Sequence, residues 1–384
     1  MTPDSIKQKP SDHLVQLDGL RALAVFLVLI QHFVPQGHIL LKPAVWGTVG
    51  VQLFFVLSGF LITQILLGCR CNVEAGRSSV GFSLRRFYAR RFLRIFPLFY
   101  ASLIVLTVFD IGVVRETLWW HVGYLSNVYL SIRGSMHGTV THFWTLSVEE
   151  QFYLVWPWLI LLTPRKWLLP ALLAVIVSAP AYRFVTSFFR FNPIVRTWLP
   201  FANVDALGMG SLLALFWSDP ARYDVWRRKL GTFGLYAGGA GMLVIAVLRC
   251  TDLIRWSYEI LVSGSFLAML FFPVVDRTAR GCKGIAGKFL SLPPIAYFGR
   301  ISYGIYVVHD FMPEVLRRMF EPLGVKVPET LPWPFLIYLT ASLVVSSISW
   351  TLMEKPLNDL KRYFPYSERP VDAGLHPAEA AGRR

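Results

Sequence analysis

Apolar segments of membrane-spanning length recur along the whole 384-residue chain, and this recurrence constrains the fold more than any single motif. Each segment is close to the ~20 residues with which an α-helix crosses a hydrocarbon core. The ten segments are Leu17–Val34, Val49–Leu67, Pro97–Val114, Phe143–Leu162, Trp167–Tyr182, Thr197–Trp217, Thr232–Leu248, Trp256–Val274, Ile295–Met312 and Trp333–Met353. The pattern predicts an all-α polytopic membrane protein with about ten transmembrane helices.

The composition excludes a soluble globular protein. Hydrophobic residues make up 54% of the chain and charged residues 16%, whereas soluble domains have about 25% charged residues. Four cysteines are too few for a disulfide scaffold. Cys69 and Cys71 lie close together, but no His/Cys cluster accompanies them, so no metal site is expected.

The distribution of basic residues predicts the orientation of the chain. With ten spans both termini lie on one side, and 26 of the 38 Lys and Arg residues fall in the loops of that side. The positive-inside rule therefore predicts that both termini are cytoplasmic. The net charge of +15 is explained by orientation and by anionic membrane lipid, so nucleic acid is not an expected partner. Trp119–Leu130 is short and is expected to be interfacial or re-entrant.

The expected domain organisation is simple. A cytoplasmic segment, residues 1–16, precedes a transmembrane domain at 17–357, and a cytoplasmic tail at 358–384 is expected to be partly disordered. The first apolar segment lacks the small-residue exit of a cleaved signal peptide, so it is expected to remain as a helix.

Ionisable residues inside spans are costly, and each is therefore a functional candidate. The first span carries Arg21 and His32. Their spacing of eleven residues places both side chains on one helix face, about 16 Å apart along the axis. Arg21 is expected near the cytoplasmic surface and His32 in the outer half. For either residue alone, snorkelling of the arginine or ordinary packing of the histidine is the simpler interpretation.

Acidic groups and a second histidine are expected at the outer level as well. Glu149 and Glu150 lie in the first turns of the fourth span, Asp205 lies early in the sixth, and His309 lies late in the ninth. Adjacent helix positions point about 100° apart, so at most one of the two glutamates can face a given cavity.

Basic residues are expected at the inner level. Between Leu84 and Arg94, arginines alternate with aromatic residues just before the third span. The run fits either an interfacial helix that holds anionic lipid or a site for a cytoplasmic phosphorylated ligand. An extended ligand such as acyl-coenzyme A would then place its phosphates at the arginines and its thioester near His32.

Six segments in this order resemble the acyltransferase 3 family of integral membrane proteins, over about Leu17 to Leu357. They are LDGLRALAVFLVLIQH (Leu17–His32), GVQLFFVLSGFLI (Gly50–Ile62), RRFLRIFP (Arg90–Pro97), FWTLSVEEQFYLVWP (Phe143–Pro157), ISYGIYVVHDF (Ile301–Phe311) and MEKPL (Met353–Leu357). The first contains the Arg-x10-His pattern of the family, and the third contains its Arg-x-x-Arg pair.

The resemblance implies an O-acyltransferase in a bacterial inner membrane. The acyl group, usually acetyl, would pass from acetyl-coenzyme A (acetyl-CoA) as co-substrate to a hydroxyl of an extracytoplasmic or lipid-linked glycan. The resemblance makes His32 the expected catalytic residue, with Arg21, Arg91 and Arg94 important for activity or donor handling. Acylation of a small molecule such as an antibiotic, or a transporter or flippase without chemistry, are the alternatives, and the oligomeric state is left open.

One departure from the family pattern concerns Gln52, where the second-helix signature often carries aspartate. If that carboxylate orients the histidine in relatives, Asp18 or Glu150 would have to supply the charge here. We expect Glu150 to orient His32 while the neutral imidazole takes the proton of the attacking hydroxyl. A covalent acyl-histidine is the other route.

Two further residues are candidates for assisting roles. Ser58 is a weak candidate for a donor to the oxyanion, because a small residue at this position is more often a helix-packing contact. His309 is a candidate for assisting the reaction and equally for an ordinary interfacial histidine.

Overall fold

The structure, a computed structural model, describes residues 10–135, 138–254 and 256–366, and every regular element within these ranges is helical. The predicted all-α class is therefore confirmed. The α-helices are α1 (Pro10–Phe33), α2 (Trp46–Glu74), α3 (Val80–Val108), α4 (Val114–Val122), α5 (Ser126–Arg133), α6 (Phe143–Leu162), α7 (Arg165–Phe188), α8 (Pro193–Trp198), α9 (Val204–Ser218), α10 (Pro220–Cys250), α11 (Trp256–Ala279), α12 (Gly284–Leu290), α13 (Pro293–Arg300), α14 (Ser302–Val308), α15 (Met312–Phe320), α16 (Trp333–Ser349) and α17 (Lys355–Asp359). The disorder predicted for the tail falls largely on residues 367–384, which lie outside the described residues.

Seven helical segments are long and apolar enough to cross a membrane within the described part of the chain, which makes this an integral membrane protein. They are Val15–Phe33, Trp46–Glu74, Val80–Val108, Arg165–Phe188, Pro220–Cys250, Tyr258–Ala279 and Trp333–Tyr363. The last one joins α16 to α17 through a π-helical turn at Trp350–Glu354. The number of ten spans and the cytoplasmic side of the termini stay predictions.

The other three predicted spans have a different character. Helix α6 has 20 residues and matches its predicted bounds, whereas α9 has only 15. The predicted ninth span is divided into α13, α14, a 3-10 turn at His309–Phe311 and α15. The predicted sixth span is divided by a 3-10 turn at Pro200–Ala202. These interruptions bring polar groups into the interior of the bundle.

The arginine run does not form a separate interfacial helix. Helix α3 is continuous over 29 residues and includes Pro97 in its interior, and the side chain of Ser79 caps its N-terminus by accepting a hydrogen bond from the Phe82 amide at 3.1 Å. The predicted third span is thus the second half of one helix, whose first half carries the arginines. Helices α4 and α5 contain nine and eight residues, too few for either to span.

Helices α2 and α9 pack with their backbones in close contact. A Cβ atom added at Gly59 would lie 1.9 Å from the carbonyl oxygen of Leu207, and one added at Gly210 would lie 2.0 Å from that of Val56. The hydroxyl of Thr63 in α2 donates to that of Ser211 in α9 at 2.8 Å. Small residues and hydroxyl pairs of this kind are the usual means of holding membrane helices together.

We expect Gly59→Ala to destabilise the protein by about 1–3 kcal/mol, because the added methyl group forces two backbones apart. Gly68→Ala on the same helix is the control, since nothing lies within 4 Å of the added atom, and it should change stability by less than about 0.5 kcal/mol. Thermal unfolding of both variants in detergent checks this. Equal unfolding temperatures would mean that α2 and α9 are not in backbone contact.

Candidate functional site

One carboxylate bridges two histidines where α1 ends and α6 begins. His32 is in the last turn of α1, His142 immediately precedes α6, and Asp310 lies in the 3-10 turn after α14. His32 Nδ1 lies 3.0 Å from Asp310 Oδ1, and His142 Nδ1 lies 2.9 Å from Asp310 Oδ2. These three residues, the bridged cluster, come from three separate parts of the sequence.

The two histidines of the bridged cluster differ in accessibility. The side chain of His142 is 2% exposed and that of His32 is 29% exposed. His142 Nε2 also lies 3.1 Å from the carbonyl oxygen of Val307. Because both ring nitrogens of His142 face acceptors, an imidazolium that donates from both satisfies the two contacts. His142 is therefore held in place, whereas His32 is open to a ligand.

His309 packs against both rings of the cluster and is itself fully buried. Its ring centroid lies 4.8 Å from that of His32 and 4.7 Å from that of His142. Its Nδ1 lies 2.7 Å from the carbonyl oxygen of Tyr306, while its Nε2 has no hydrogen-bond partner among the residues that the structure describes. The position of His309 next to His32 agrees with an assisting role.

A cavity of about 320 Å³ lies next to the bridged cluster, between α1, α2, α3, α6 and α14. Part of its wall is apolar, with Phe54, Phe55, Leu61 and Ile95 among the side chains. The polar lining residues are Arg21, Ser58, Arg91, Arg94, Thr145, Glu149, Glu150, Tyr153, Ser302, Tyr303 and Tyr306. The three guanidinium groups predicted to act together do share this one space, which we call the arginine cavity.

Of the three guanidinium groups in the arginine cavity, one forms an ion pair and two have no ion pair or hydrogen bond with a described residue. Arg21 pairs with Asp18 at 2.6 Å. Arg91 lies over the ring of Tyr153, 5.6 Å from its centroid. Neither Arg91 nor Arg94 makes an ion pair or hydrogen bond with any described residue. Unpaired guanidinium groups at the wall of a cavity suit an anionic ligand with several oxygen atoms, such as a phosphate.

The carboxylate that contacts His32 is Asp310, whereas the sequence predicted that Glu150 orients this histidine. Helix α6 begins at Phe143, and Glu150 lies eight residues after His142, about 12 Å along the axis. Glu149 and Glu150 line the arginine cavity instead. The Oε1 atom of Glu150 is buried without a hydrogen bond to any described group. The acidic pair is thus not at the level of the imidazoles.

Asp18 and Ser58 also lie away from the imidazole of His32. Asp18 precedes His32 by fourteen residues on α1, about 21 Å along the axis, and it contacts Arg21. The hydroxyl of Ser58 donates to Glu149 Oε1 at 2.6 Å. Because that hydrogen is engaged, Ser58 does not offer a donor to an oxyanion in this structure.

Tyr306 connects the arginine cavity to the bridged cluster. Tyr306 is one of the residues that line the cavity, and its hydroxyl lies 2.5 Å from the hydroxyl oxygen of Thr145 and 3.3 Å from the carbonyl oxygen of His142. The backbone carbonyl of Tyr306 accepts a hydrogen bond from His309, and the backbone carbonyl of Val307 accepts one from His142. A ligand that fills the cavity to this end reaches the neighbourhood of the histidines.

Gln52 lies apart from the bridged cluster. Its Nε2 donates to the side-chain oxygen of Asn203 at 3.1 Å, and it lines a second, smaller cavity of about 80 Å³. The hydrogen bond of Gln52 is therefore made to Asn203, whereas that of His32 is made to Asp310. Asp205, a candidate in the sixth span, forms a buried ion pair with Arg183 at 2.6 Å.

Two residues of the bridged cluster, Asp310 and His142, are not among the candidates predicted from the sequence. Asp310 directly follows His309 in the fifth of the six family segments, and His142 directly precedes the fourth. Both are ionisable residues at the ends of apolar segments, so the rule that singled out His32 applies to them too. The sequence alone does not show that Asp310 and His142 contact each other.

The comparisons with known proteins agree with this architecture. The family model described as an acyltransferase domain, that of the acyltransferase 3 family, matches residues 14–351. The chain therefore belongs to the acyltransferase 3 family of membrane proteins. No solved structure gave a significant match.

Among curated proteins, the chain is similar to peptidoglycan O-acetyltransferase OatA of Listeria monocytogenes, with 26% identity over 94% of this chain and 60% of the relative. It is also similar to O-acetyltransferase OatA of Staphylococcus aureus, with 24% identity over 90% of this chain and 57% of the relative. The chain thus spans little more than half the length of these relatives.

Proposed function

We propose that this protein is a membrane-bound O-acetyltransferase that moves an acetyl group from acetyl-CoA to a hydroxyl group of a cell-wall glycan. The contact that carries the proposal is the 3.0 Å bond between His32 Nδ1 and Asp310. Both relatives are named as O-acetyltransferases, which supports acetyl as the transferred group. One of them is named as a peptidoglycan O-acetyltransferase, which supports a cell-wall glycan as the acceptor. A bacterial cytoplasmic membrane is the proposed location.

A sugar hydroxyl is a weak nucleophile near neutral pH, so the reaction needs a base. With Nδ1–H of His32 donating to Asp310, the lone pair of the imidazole is on Nε2. Nε2 takes the hydroxyl proton as the oxygen attacks the thioester carbonyl. A new C–O bond then replaces the C–S bond, and the leaving thiolate recovers the proton from His32. A route through a covalent acyl-histidine uses the same imidazole.

Asp310 is a positioning residue in this mechanism. It fixes the tautomer and the direction of the His32 ring, and it stabilises the imidazolium that forms when the proton is taken. His142 holds the second oxygen of the same carboxylate at 2.9 Å. Both Asp310 oxygens are thereby fixed, so the carboxylate cannot turn away from His32.

The arginine cavity is the proposed donor site. Arg91 and Arg94 are free to bind the phosphates of coenzyme A, and Arg21 lies beside them. The apolar part of the cavity wall suits the extended chain that joins the phosphates of acetyl-CoA to its thioester. Arg21 and His32 share α1 and lie about 16 Å apart along its axis, a distance over which an extended thioester arm brings the acetyl group to the imidazole.

Replacing His32 by alanine should abolish acetyl transfer. Among the described residues, the other imidazole that contacts Asp310 is that of His142, which is buried and cannot reach the substrates. The measurement is the O-acetyl content of surface glycans, by proton NMR, in a deletion strain complemented with wild type or His32→Ala. Wild type should restore the acetyl signals and His32→Ala should not, at equal abundance in membranes. Identical spectra in all strains would contradict glycan acetylation and favour small-molecule acylation or transport.

Replacing Asp310 by asparagine should lower kcat by about 10²–10⁴-fold and leave the KM for both substrates nearly unchanged, because the asparagine keeps the shape but not the charge. Glu150→Gln is the matched control, since Glu150 does not contact His32, and it should cost much less. Steady-state acetyl transfer to a soluble glycan checks both variants. A larger loss for Glu150→Gln than for Asp310→Asn would assign the orienting role to Glu150.

Replacing Arg94 by glutamine should weaken coenzyme A binding by about tenfold, because one charge-assisted phosphate contact contributes about 1.5–3 kcal/mol. Arg85→Gln is the control on the same helix, since Arg85 is exposed and lines neither cavity. The thermal shift of the purified protein across a coenzyme A titration gives both affinities. Equal affinities for the two variants would place the donor phosphates elsewhere.

A further inference from the structure

The smaller cavity, which contains Gln52, is a second polar space that the proposed reaction does not use. It has a volume of about 80 Å³ and lies between the first residues of α6 and helices α2, α8 and α11. Trp144 and Trp198 form part of its wall, with parallel rings whose centroids are 5.3 Å apart. Its size suits a small substituent of a larger ligand.

We infer that this cavity, the amide cavity, is a subsite for the acetamido group of an N-acetylated amino sugar in the acceptor glycan. The inference rests on the proposed function and names the chemical group by which the acceptor is recognised. Three observations carry it: the charges around the cavity are neutralised, two of its lining residues each carry a polar atom without a partner among the described residues, and it borders the helix end that holds the bridged cluster.

The charged side chains of the amide cavity are paired with partners of opposite charge. Arg183 is bound to Asp205 at 2.6 Å, and Glu259 is bound to Arg249 at 2.6 Å. The cavity therefore presents polar groups without an uncompensated charge. A neutral polar group fits such a space, whereas an anion or cation entering it would lose its hydration without gaining a counter-ion.

Two residues that line the amide cavity each carry a buried polar atom without a hydrogen-bond partner among the described residues. These atoms are Oε1 of Gln52 and Nε of Arg183, on residues that are 4% and 2% exposed. An acetamido group offers an N–H to the first and a C=O to the second. Buried polar groups without partners are costly, so a ligand that satisfies both is favoured.

Gly264 of α11 allows these two side chains to approach the helix backbone closely. A Cβ atom at this position would lie 2.5 Å from Arg183 Nη1 and 3.6 Å from Gln52 Nε2. The absence of a side chain at Gly264 therefore lets Arg183 and Gln52 lie side by side in the wall of the cavity.

The amide cavity and the bridged cluster lie on either side of the start of α6. His142, just before the helix, contacts Asp310, and Trp144, two residues later, lines the amide cavity. Val51 of α2 lines both the amide cavity and the arginine cavity. A glycan chain crossing this helix end would place an acetamido group in the cavity and a hydroxyl group toward His32.

The test uses full-length His32→Ala protein in detergent, so that binding is measured without turnover. The probes are three tetrasaccharides that differ in one substituent: those of N-acetylglucosamine, of glucosamine and of glucose. Saturation-transfer NMR and intrinsic indole fluorescence measure their binding. The N-acetylated tetramer should bind at least about tenfold more tightly than the other two, which corresponds to one satisfied donor–acceptor pair.

Gln52→Met in the same background removes the free acceptor and should abolish the preference. Gln31→Met is the matched control, because Gln31 Oε1 also lacks a partner within the described residues but lines neither cavity, and it should retain the preference. Equal affinities of the three tetramers for the parent protein overturn the inference, whether or not the variants fold. A preference that persists in Gln52→Met overturns it as well.

Acetyl transfer by the protein with His32 intact separates the two proposals. If glycan acetylation is observed but the tetramers bind equally, the amide cavity is not the subsite and the proposed function stands. If the N-acetylated tetramer is preferred but no acetylation occurs in cells or in vitro, the binding site is supported while the proposed reaction is wrong.

Discussion

The interior of this bundle is apolar, so every backbone group that leaves a helix there must find a partner within the protein. The candidate site depends on this constraint. Where the segment after α14 turns into a 3-10 conformation, the carbonyl groups of Tyr306 and Val307 accept hydrogen bonds from His309 and His142. The interruption of the helix thus fixes two imidazoles and presents Asp310 to His32. A regular helix over the same residues would have used these carbonyls within its own ladder.

The features that the sequence predicted correctly are those fixed within one helix. The apolar segments predicted the all-α class, and the fixed rise of an α-helix placed Arg21 and His32 on one helix, in separate parts of the site. The arginine run of α3 was singled out by its composition, and two of its members, Arg91 and Arg94, share a cavity with Arg21.

The partner of His32 could not be predicted in this way, because it depends on where a different segment leaves the helical conformation. Asp310 reaches His32 from the 3-10 turn that divides the predicted ninth span, and the sequence pattern does not show this turn. The surroundings of Gln52 are a related case. Its contact with Asn203 depends on the 3-10 turn that divides the predicted sixth span. In both cases a local break in a helix, which hydrophobicity does not report, decides which polar groups meet.

The contact of α2 with α9 at Gly59 and Gly210 has a mechanical consequence. No layer of side chains lies between the two backbones at these points. The distance between α2 and α9 therefore cannot shorten, and the two helices have little freedom to slide along each other. Helix α2 also contributes Val51 to the walls of both cavities. Helix α2, backed by α9, is therefore the less deformable wall of both cavities, and a widening that admits a ligand has to come from the other walls. These include α3 for the arginine cavity and α11 for the amide cavity.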